Sequence, residues 1–455
     1  MKILQPDIII IGAGLTGLTV AYYLQKAGKN VLLIEQNNRP GGVIRTISEN
    51  GFTYEAGPNA GELSTAELVQ LLKDLELESE VTCKTNKVRW IWKKNKWHVL
   101  PAGLLSAIFT PLITFSDKIK VMGEPFRRKR HRRNESVHKF IKRRLGSSVL
   151  RYAFDPCLSG IYAGDLNKLI VRYAMPKLYA LEHDYGGFVK GTILRRKIIA
   201  AEKAAGITKS FFSINGGLEN LIQALVNEIG KERILTGAMD VRIEPVQGKY
   251  ACRFIKNGEN QGFVVEKLVS TVDGLSVASL FPFIPQDIMD KIISIRYAKV
   301  VQVVLGYKHW KGIPLNACGG FVPSNEEKDI LCILFPSTLF RDRAPEGGAL
   351  LSIIMGGILR PDLFQKTDEE LKDVVLENMK EMMQCFETPD MVRIFRYEKA
   401  FPQYESTTEL RLFTISEIER AYPGLILAGN MRDGIGICDR VKQAKQIADI
   451  LLSFQ

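Results

Sequence analysis

The stretch that most constrains this chain is Asp7 to Glu35, DIIIIGAGLTGLTVAYYLQKAGKNVLLIE. Ile8 to Ile11 are a run of β-branched residues, which suits a strand buried on both faces. Gly12, Gly14 and Gly17 follow as GxGxxG. The first glycine permits a tight turn, the second lets the backbone approach a pyrophosphate, and the third lets a helix pack closely on the strand. Leu18 to Ala27 supply that helix, whose N-terminal N–H groups and dipole favour a phosphate. Val31 to Ile34 read as a second strand. Glu35 ends it, 18 residues past Gly17, where a carboxylate can accept bonds from a ribose diol. Strand, turn, helix, strand and acid in this order point to a dinucleotide site. A βαβ unit without a ligand would leave Glu35 no reason to sit at the strand tip.

A length of 455 residues suggests about three domains, or two with insertions. The apolar share of 46% can fill large cores. The net charge of +12 favours acidic partners: anionic lipid, a polycarboxylate substrate or nucleic acid. The seven cysteines and five histidines are scattered, with no CxxC or other metal spacing, so neither a metal site nor a disulfide framework is expected. Six residues precede the Asp7–Glu35 stretch, so no targeting peptide is expected. With no apolar run of about 18 residues, a spanning helix is not expected either. The expectation is a cytoplasmic protein.

After Glu35, Arg39, Gly41, Gly42 and Arg45 form an RxGGxxR-like turn, and GFTYEAGPNA (51 to 60) makes another glycine-proline turn. A Ser64-x-x-Glu67 capping box opens a helix with Leu68, Leu71, Leu72 and Leu75 on one face. Residues 86 to 101 read as a hairpin about a lysine-asparagine turn. Its Trp90, Trp92 and Trp97 either cover a core or make a wall for a flat ligand. The uncharged run 102 to 115 is followed by basic runs at 127 to 133 and 142 to 144. That pairing suits a segment lying on an anionic membrane; a buried helix with a solvated basic loop is the alternative. No nucleic-acid module accompanies the basic run, so no nucleic-acid partner is expected. Lys190 to Lys209 reads as a basic linker, and residues 213 to 225 enter a helix carrying Leu218, Leu221, Ile222 and Leu225. Strands are expected at 241 to 246, 263 to 272 and repeatedly from Ile295 to Met355, with a helix capped by Thr367-x-x-Glu370. The end, LILAGNMRDGIGICDRVKQAKQIADILL, gives a strand at 425 to 428, a glycine-rich turn and a closing helix.

These motifs together resemble the flavin-dependent protoporphyrinogen oxidases, nearly end to end. GAGLTGL, GFTYEAGPNA, DPCLSGIYAGD, the AMPKLYALEHDYGG run, INGGLENL, AFPQY and AGNMRDGIGICD occur in the family's order. The first and last are shared with amine oxidases and carotenoid desaturases. The chain departs from the family after Tyr404, where it reads ESTTELR. The resemblance implies an α/β fold with α+β insertions and a discontinuous, Rossmann-type FAD domain from 1–85, 210–280 and 415–455. A mixed-sheet substrate domain would use 86–102 and 281–414, and a helical, membrane-binding domain 103–209.

It also implies non-covalent FAD held by Gly12, Ala13, Gly14, Leu15, Thr16, Gly17, Glu35, Gln36, Gly42, Val43, Gly57, Pro58, Asn59, Ala60, Val241, Ile435, Gly436 and Ile437. A carboxylated tetrapyrrole would meet Arg89, at the family's position for a propionate-binding arginine, with Gly160 and Met355 as apolar contacts. The expected reaction is oxidation of protoporphyrinogen IX by O2 with release of hydrogen peroxide, in haem biosynthesis. Flavin would be the hydride acceptor, with no catalytic side chain and no metal. Coproporphyrinogen III is the alternative substrate. An amine oxidase, a carotenoid desaturase and a flavin-less carrier are more distant readings. Peripheral attachment to the cytoplasmic face of the inner membrane is expected, and a homodimer is left open.

Overall fold

The structure is a computed structural model that describes residues 5–81, 88–101, 103–130 and 132–453. Cys83, Asn86, Lys87, Ala102 and His131, and the expected boundary between residues 85 and 86, lie outside the described residues. Five parallel strands form the first sheet, in the spatial order Ile234–Leu235, Val31–Ile34, Ile8–Ile11, Lys267–Ser270 and Leu425–Leu427. The isoleucine run serves two cores. Ile8 and Ile10 meet the helices Leu15–Lys26, Glu219–Ile229 and Ile437–Ser453, whereas Ile9 and Ile11 face the layer holding the antiparallel sheet Met239–Val246, Lys249–Lys256 and Glu259–Val265. Each such buried isoleucine contributes about 1.5–3 kcal/mol relative to exposure. Three remote segments therefore end their strands along one edge. The α/β, Rossmann-type arrangement with a discontinuous sheet is as the motifs imply. The strand expected over 263–272 is two strands. Glu266 interrupts it, and the chain crosses from the antiparallel to the parallel sheet there.

The second sheet is mixed and seven-stranded, in the order Met391–Pro402, Tyr297–Tyr307, Ala349–Gly356, Ile330–Leu334, Gly319–Phe321, Arg89–Lys93 and Lys96–Val99. The helix Asp368–Met383 covers one face. Its capping box forms as expected: Thr367 Oγ1 accepts from the Glu370 N–H at 3.3 Å, and Glu370 Oε2 accepts from the Thr367 N–H at 2.7 Å. Lys94 and Asn95, both left-handed, turn the 89–99 hairpin. Period-two alternation decides the tryptophan question. Trp90, Trp92 and Trp97 all pack on the helix-covered face, and the Trp97 indole donates to the Met382 carbonyl at 2.8 Å. The three indoles cover the core, so the ligand-wall reading is set aside.

Met355 is corrected for the same reason. It pairs with Val301, is 0% exposed and lies in that same core. Its neighbour Ile354 occupies the opposite face with Gln302, one residue along the strand.

Between residues 103 and 209 the chain is helical. The helix expected from Ser64 is instead capped by Thr65, whose hydroxyl accepts from the Leu68 N–H; Ser64 donates to the Cys438 sulfur at 3.0 Å. Lys190 to Lys209 is not a linker but the helices Phe188–Leu194 and Arg196–Ala204. Its alanines, lysines and arginines are strong helix formers, whatever their charge. The basic runs divide. Arg143 and Arg144 are withdrawn into an ion network: Arg143 bridges Glu135 (2.8 Å) and Glu182 (2.9 Å), and Arg144, 0% exposed, bridges Glu124 (3.2 Å) and Glu182 (2.6 Å). Glu124 also accepts the N–H groups of Phe188 and Val189. Arg128, Lys129, Arg130 and Arg132 remain exposed. Near them, Phe109 (83%), Phe115, Ile119, Met122 and Phe126 (89%) are large apolar side chains left in solvent. Among the described residues no helix is long and apolar enough to cross a membrane.

Burial pushes the Glu182 carboxyl up, but hydrogen bonds from Arg143 and Arg144 outweigh it and hold the group below the usual carboxylate range. A depressed carboxylate stabilises the fold above its unfolded pKa and loses that contribution as pH falls through the folded value. The network therefore weakens in acid. Arg144→Ala leaves the buried Glu124 carboxylate without a counter-charge and takes one of two from Glu182, and is expected to cost about 3–5 kcal/mol. Urea denaturation followed by circular dichroism checks this; an unchanged midpoint would show that the network contributes nothing.

Candidate cofactor and substrate site

The turn after the first strand is a cradle open on one side. A Cβ added at Gly17 would lie 2.0 Å from the Gly12 carbonyl oxygen, so the helix can cross the strand only over a bare Cα. A Cβ added at Gly14 would meet nothing within 4 Å, so that glycine faces open space at the N-terminus of the helix Leu15–Lys26. One glycine is required by the protein, while the space at the other is available to a ligand. Glu35 is buried at the tip of the second strand. Its Oε2 accepts from the Ala13 N–H (2.8 Å), and its Oε1 from the Asn37 backbone N–H (2.8 Å) and side-chain amide (2.7 Å). Oε1 has filled both of its acceptor sites, while Oε2 keeps one for a diol. Gln36 is exposed beside it.

Other segments converge on this edge. The Gly41 N–H donates to the Ala13 carbonyl at 2.7 Å, and the Gly42 Cα stands beside Gly14. Val43 is exposed, and its carbonyl abuts Gly57. Pro58, Asn59 and Ala60 are half-buried in the turn that follows. Val241 sits at an irregularity in its strand, where Asp240 has φ 49°, and Ala238 donates to the Glu35 carbonyl at 3.0 Å. Thr271 joins the two ends of the chain. Its hydroxyl lies 3.0 Å and 3.1 Å from the carbonyls of Ile11 and Gly12, while its own carbonyl borders Gly429. The C-terminal turn then leads through Ile435 and Gly436 to Ile437, the first residue of the 17-residue helix Ile437–Ser453. Asp439 accepts the Gly436 N–H at 3.0 Å. Phosphate turn, acid and second turn thus share one edge, and the residues present fit an extended dinucleotide.

Gln302 joins this edge to the mixed sheet. Its Oε1 accepts from the Gly57 N–H at 3.2 Å, and its Nε2 donates to the Glu55 carbonyl and the Ser352 hydroxyl, both at 2.9 Å. Sequence reasoning passed over it, although one amide amid AKVVQVVLGY was the signal: a buried polar group needs partners. Tyr404 and Gln443 were also missed. The Tyr404 hydroxyl lies 2.7 Å and 2.9 Å from the carbonyls of Asn430 and Gly434, and Gln443 Oε1 accepts from the Gly429 N–H at 2.9 Å. Tyr404 belongs to the matching AFPQY text, and the divergent segment after it supplies Arg411, which donates to the Met431 carbonyl at 3.1 Å.

Arg89 occupies the face opposite the tryptophans. Its guanidinium lies 5.4 Å from the centre of the Phe211 ring, beside Cys318 and Cys157, and makes no ion pair among the described residues. Phe211 pairs with Glu62, two residues past Ala60. Burial pushes the Cys157 thiol up to about 11 and that of Cys332 to about 12, so neither is a ready nucleophile. Gly160 is placed against Phe321: an added Cβ would lie 3.0 Å from that ring. Its smallness lets the helix Asp155–Tyr162 sit on the sheet. Among the described residues no group of three or more His, Cys, Asp or Glu could hold a metal.

Fold and site together make a scaffold with an edge that fits a dinucleotide cofactor. The profile described as flavin containing amine oxidoreductase matches residues 15–448, and the chain belongs to that family; its cofactor is a flavin. The chain is 26% identical to protoporphyrinogen oxidase 2, chloroplastic/mitochondrial, of Arabidopsis thaliana over 98% of this chain and 94% of that protein. It is 24% identical to coproporphyrinogen III oxidase of Bacillus subtilis (strain 168) over 99% of this chain and 98% of that one. A solved structure from Exiguobacterium sp. 255-15 superposes with a TM-score of 0.82 at 23% identity, covering 100% of both chains, and shows the fold.

The glycine geometry separates folding from binding. Gly17→Ala forces a Cβ into a carbonyl and should yield unfolded or aggregated protein. Gly14→Ala should fold, with wild-type circular dichroism, and purify with far less flavin. Glu35→Ala should weaken flavin dinucleotide binding by about 1.5–3 kcal/mol, the value of hydrogen bonds to a charged acceptor. Fluorescence titration of the apoprotein measures it, and wild-type affinity in either folded variant would place the site elsewhere.

Proposed function

We propose that the chain binds FAD non-covalently and oxidises protoporphyrinogen IX to protoporphyrin IX, with O2 as acceptor and hydrogen peroxide as product. The observation that carries the reading is Arg89, a cation with no ion pair among the described residues, set against Phe211 one short strand pair from the Gly57–Ala60 turn. A substrate with carboxylates on a greasy macrocycle asks for such an anchor. The likeness to protoporphyrinogen oxidases over nearly the whole chain supports it. Non-covalent attachment is supported by Cys438, a buried thiol that accepts from Ser64 and whose pKa burial raises.

When bound, the flavin supplies a hydride acceptor. The bridge carbon of a porphyrinogen leaves a stabilised cation on hydride loss, and a pyrrole N–H gives up the proton. The protein is then asked to bind, orient and exclude water. Burial raises the Tyr297 and Tyr404 phenols, so neither is poised to exchange a proton. Coproporphyrinogen III is the second reading. It is favoured by relatives of that name that match as much of the chain, at 24% and 26% identity, and by the net charge of +12.

The exposed Phe109, Phe115, Ile119, Met122 and Phe126, next to Arg128, Lys129, Arg130 and Arg132, suit the surface of an anionic membrane. In this reading the enzyme works on the cytoplasmic face of a membrane. Both porphyrinogens, prepared anaerobically and assayed side by side by porphyrin fluorescence, test the reaction. Arg89→Ala should raise KM with little change in kcat, since a remote anchor holds ground and transition states alike. Failure to oxidise either substrate by flavin-loaded protein defeats the proposal. Sedimentation with anionic vesicles should carry the protein down at low salt and release it at high salt. Protein that stays in the supernatant at low salt rules out the membrane contact.

A further inference from the structure

Arg411 is a charge the fold does not balance. It is 0% exposed, in the helix Thr408–Ala421 that begins within the divergent segment. Its Nε donates to the Met431 carbonyl at 3.1 Å and its Nη2 to the Thr408 hydroxyl at 3.3 Å, while Nη1 is buried with no partner among the described residues. Its neighbours are the phenols of Tyr404, Tyr297 and Tyr173; the carboxylate that acts on it, Glu405, is paired with Arg296 at 3.2 Å. A guanidinium does not shed its proton to escape this setting. The other buried arginine behind the turn differs. Arg440 donates to the Asp433 carbonyl, and the carboxylates of Asp433 and Asp439 both act on it.

The carbonyls of the turn are turned inward. Tyr404 takes those of Asn430 and Gly434, Arg411 that of Met431, and Arg440 that of Asp433. The other side of the turn carries the first N–H groups of the closing helix, which have no intrahelical acceptor. Helix terminus and unpaired guanidinium therefore add their positive potential at one place. Buried charges are weakly screened and act over about a Debye length or more.

We propose that Arg411 raises the reduction potential of the bound flavin by holding an unpaired positive charge against the back of the 429–437 turn. The inference rests on the reading of that turn as part of the flavin site. Reduction by hydride brings two electrons and one proton to the flavin ring, so a negative charge appears there unless a second proton follows. A fixed cation behind the turn favours that charged product over the neutral oxidised form. Because the cation is fully buried behind the turn, bonded to its Met431 carbonyl, it discriminates between redox states more than it contributes to binding.

The test is the midpoint potential of the FAD-loaded full chain, measured by anaerobic reduction against a reference dye. Arg411→Gln keeps a donor for the Met431 carbonyl without the charge, and Arg411→Lys keeps the charge. The Gln variant should lose about tenfold in the reduction equilibrium, or about 30 mV for a two-electron couple, with the affinity for oxidised FAD little changed. The Lys variant should stay near wild type. If Gln does not fold, Arg411→Met serves as the neutral variant. A neutral variant that holds FAD at the wild-type potential, or one that the Lys variant matches, overturns the proposal. Wild-type protein that purifies without flavin and takes up none would overturn the cofactor reading beneath it.

Discussion

The crossing of the first helix over the first strand is the contact on which the rest of the structure depends. The Gly12 carbonyl oxygen lies 2.0 Å from where a Gly17 Cβ would be, so the helix N-terminus reaches the strand's end over a bare Cα. Thr271 then reads the same carbonyl from the neighbouring strand, and its own carbonyl sets the position of Gly429. Two ends of a 455-residue chain are thereby held at one spot by groups of van der Waals size. Long loop closures add only slowly to the entropy cost, about 0.6 kcal/mol per doubling. That is why a site can be assembled from such distant segments, provided the local geometry is strict.

What could be read in the sequence was what repeats with a known period or needs glycine. The first strand, the phosphate turn, Glu35 and the Thr367 cap stand where they were expected. Charge and aromaticity misled because their meaning depends on faces. Arg143 and Arg144 looked like a membrane-facing pair until the fold brought them Glu124 and Glu182 from other helices and Glu135 from just before their own. Trp90 and Arg89 are adjacent in sequence yet lie on opposite faces of one strand. Met355 differs from Ile354 only by that same parity. A single residue of register decides between core and cleft, and composition carries no register.

The polar hub at Gln302 shows a different limit. Its partners include Glu55 and Gly57, at and just past the end of one strand, and Ser352 of the neighbouring strand. A lone amide in an apolar strand announces that partners exist without saying which. In the low dielectric of this interface an unmet amide would cost about 1–3 kcal/mol, so the three bonds specify the docking of sheet on turn as much as they stabilise it. The cofactor edge and the sheet bearing Arg89 are set relative to one another through this side chain.

The helical region obeys a harsher economy. Its helices Phe115–Met122, Val137–Leu145, Phe188–Leu194 and Arg196–Ala204 are each under ten residues, too short to persist alone. Helix Arg196–Ala204 buries none of its side chains. An apolar core of Val137, Phe140, Ile141, Leu150 and Leu158 holds part of this region, while Phe109, Phe115, Ile119, Met122 and Phe126 lie on the outside. The Glu124–Arg144–Glu182–Arg143–Glu135 network adds to that core, and its bonds from Arg143 and Arg144 to Glu182 join residues 39 and 38 apart in sequence with fixed geometry. Ionic bonds hold direction where apolar contacts would slide. A rigid frame of this kind can present a greasy surface without collapsing onto it.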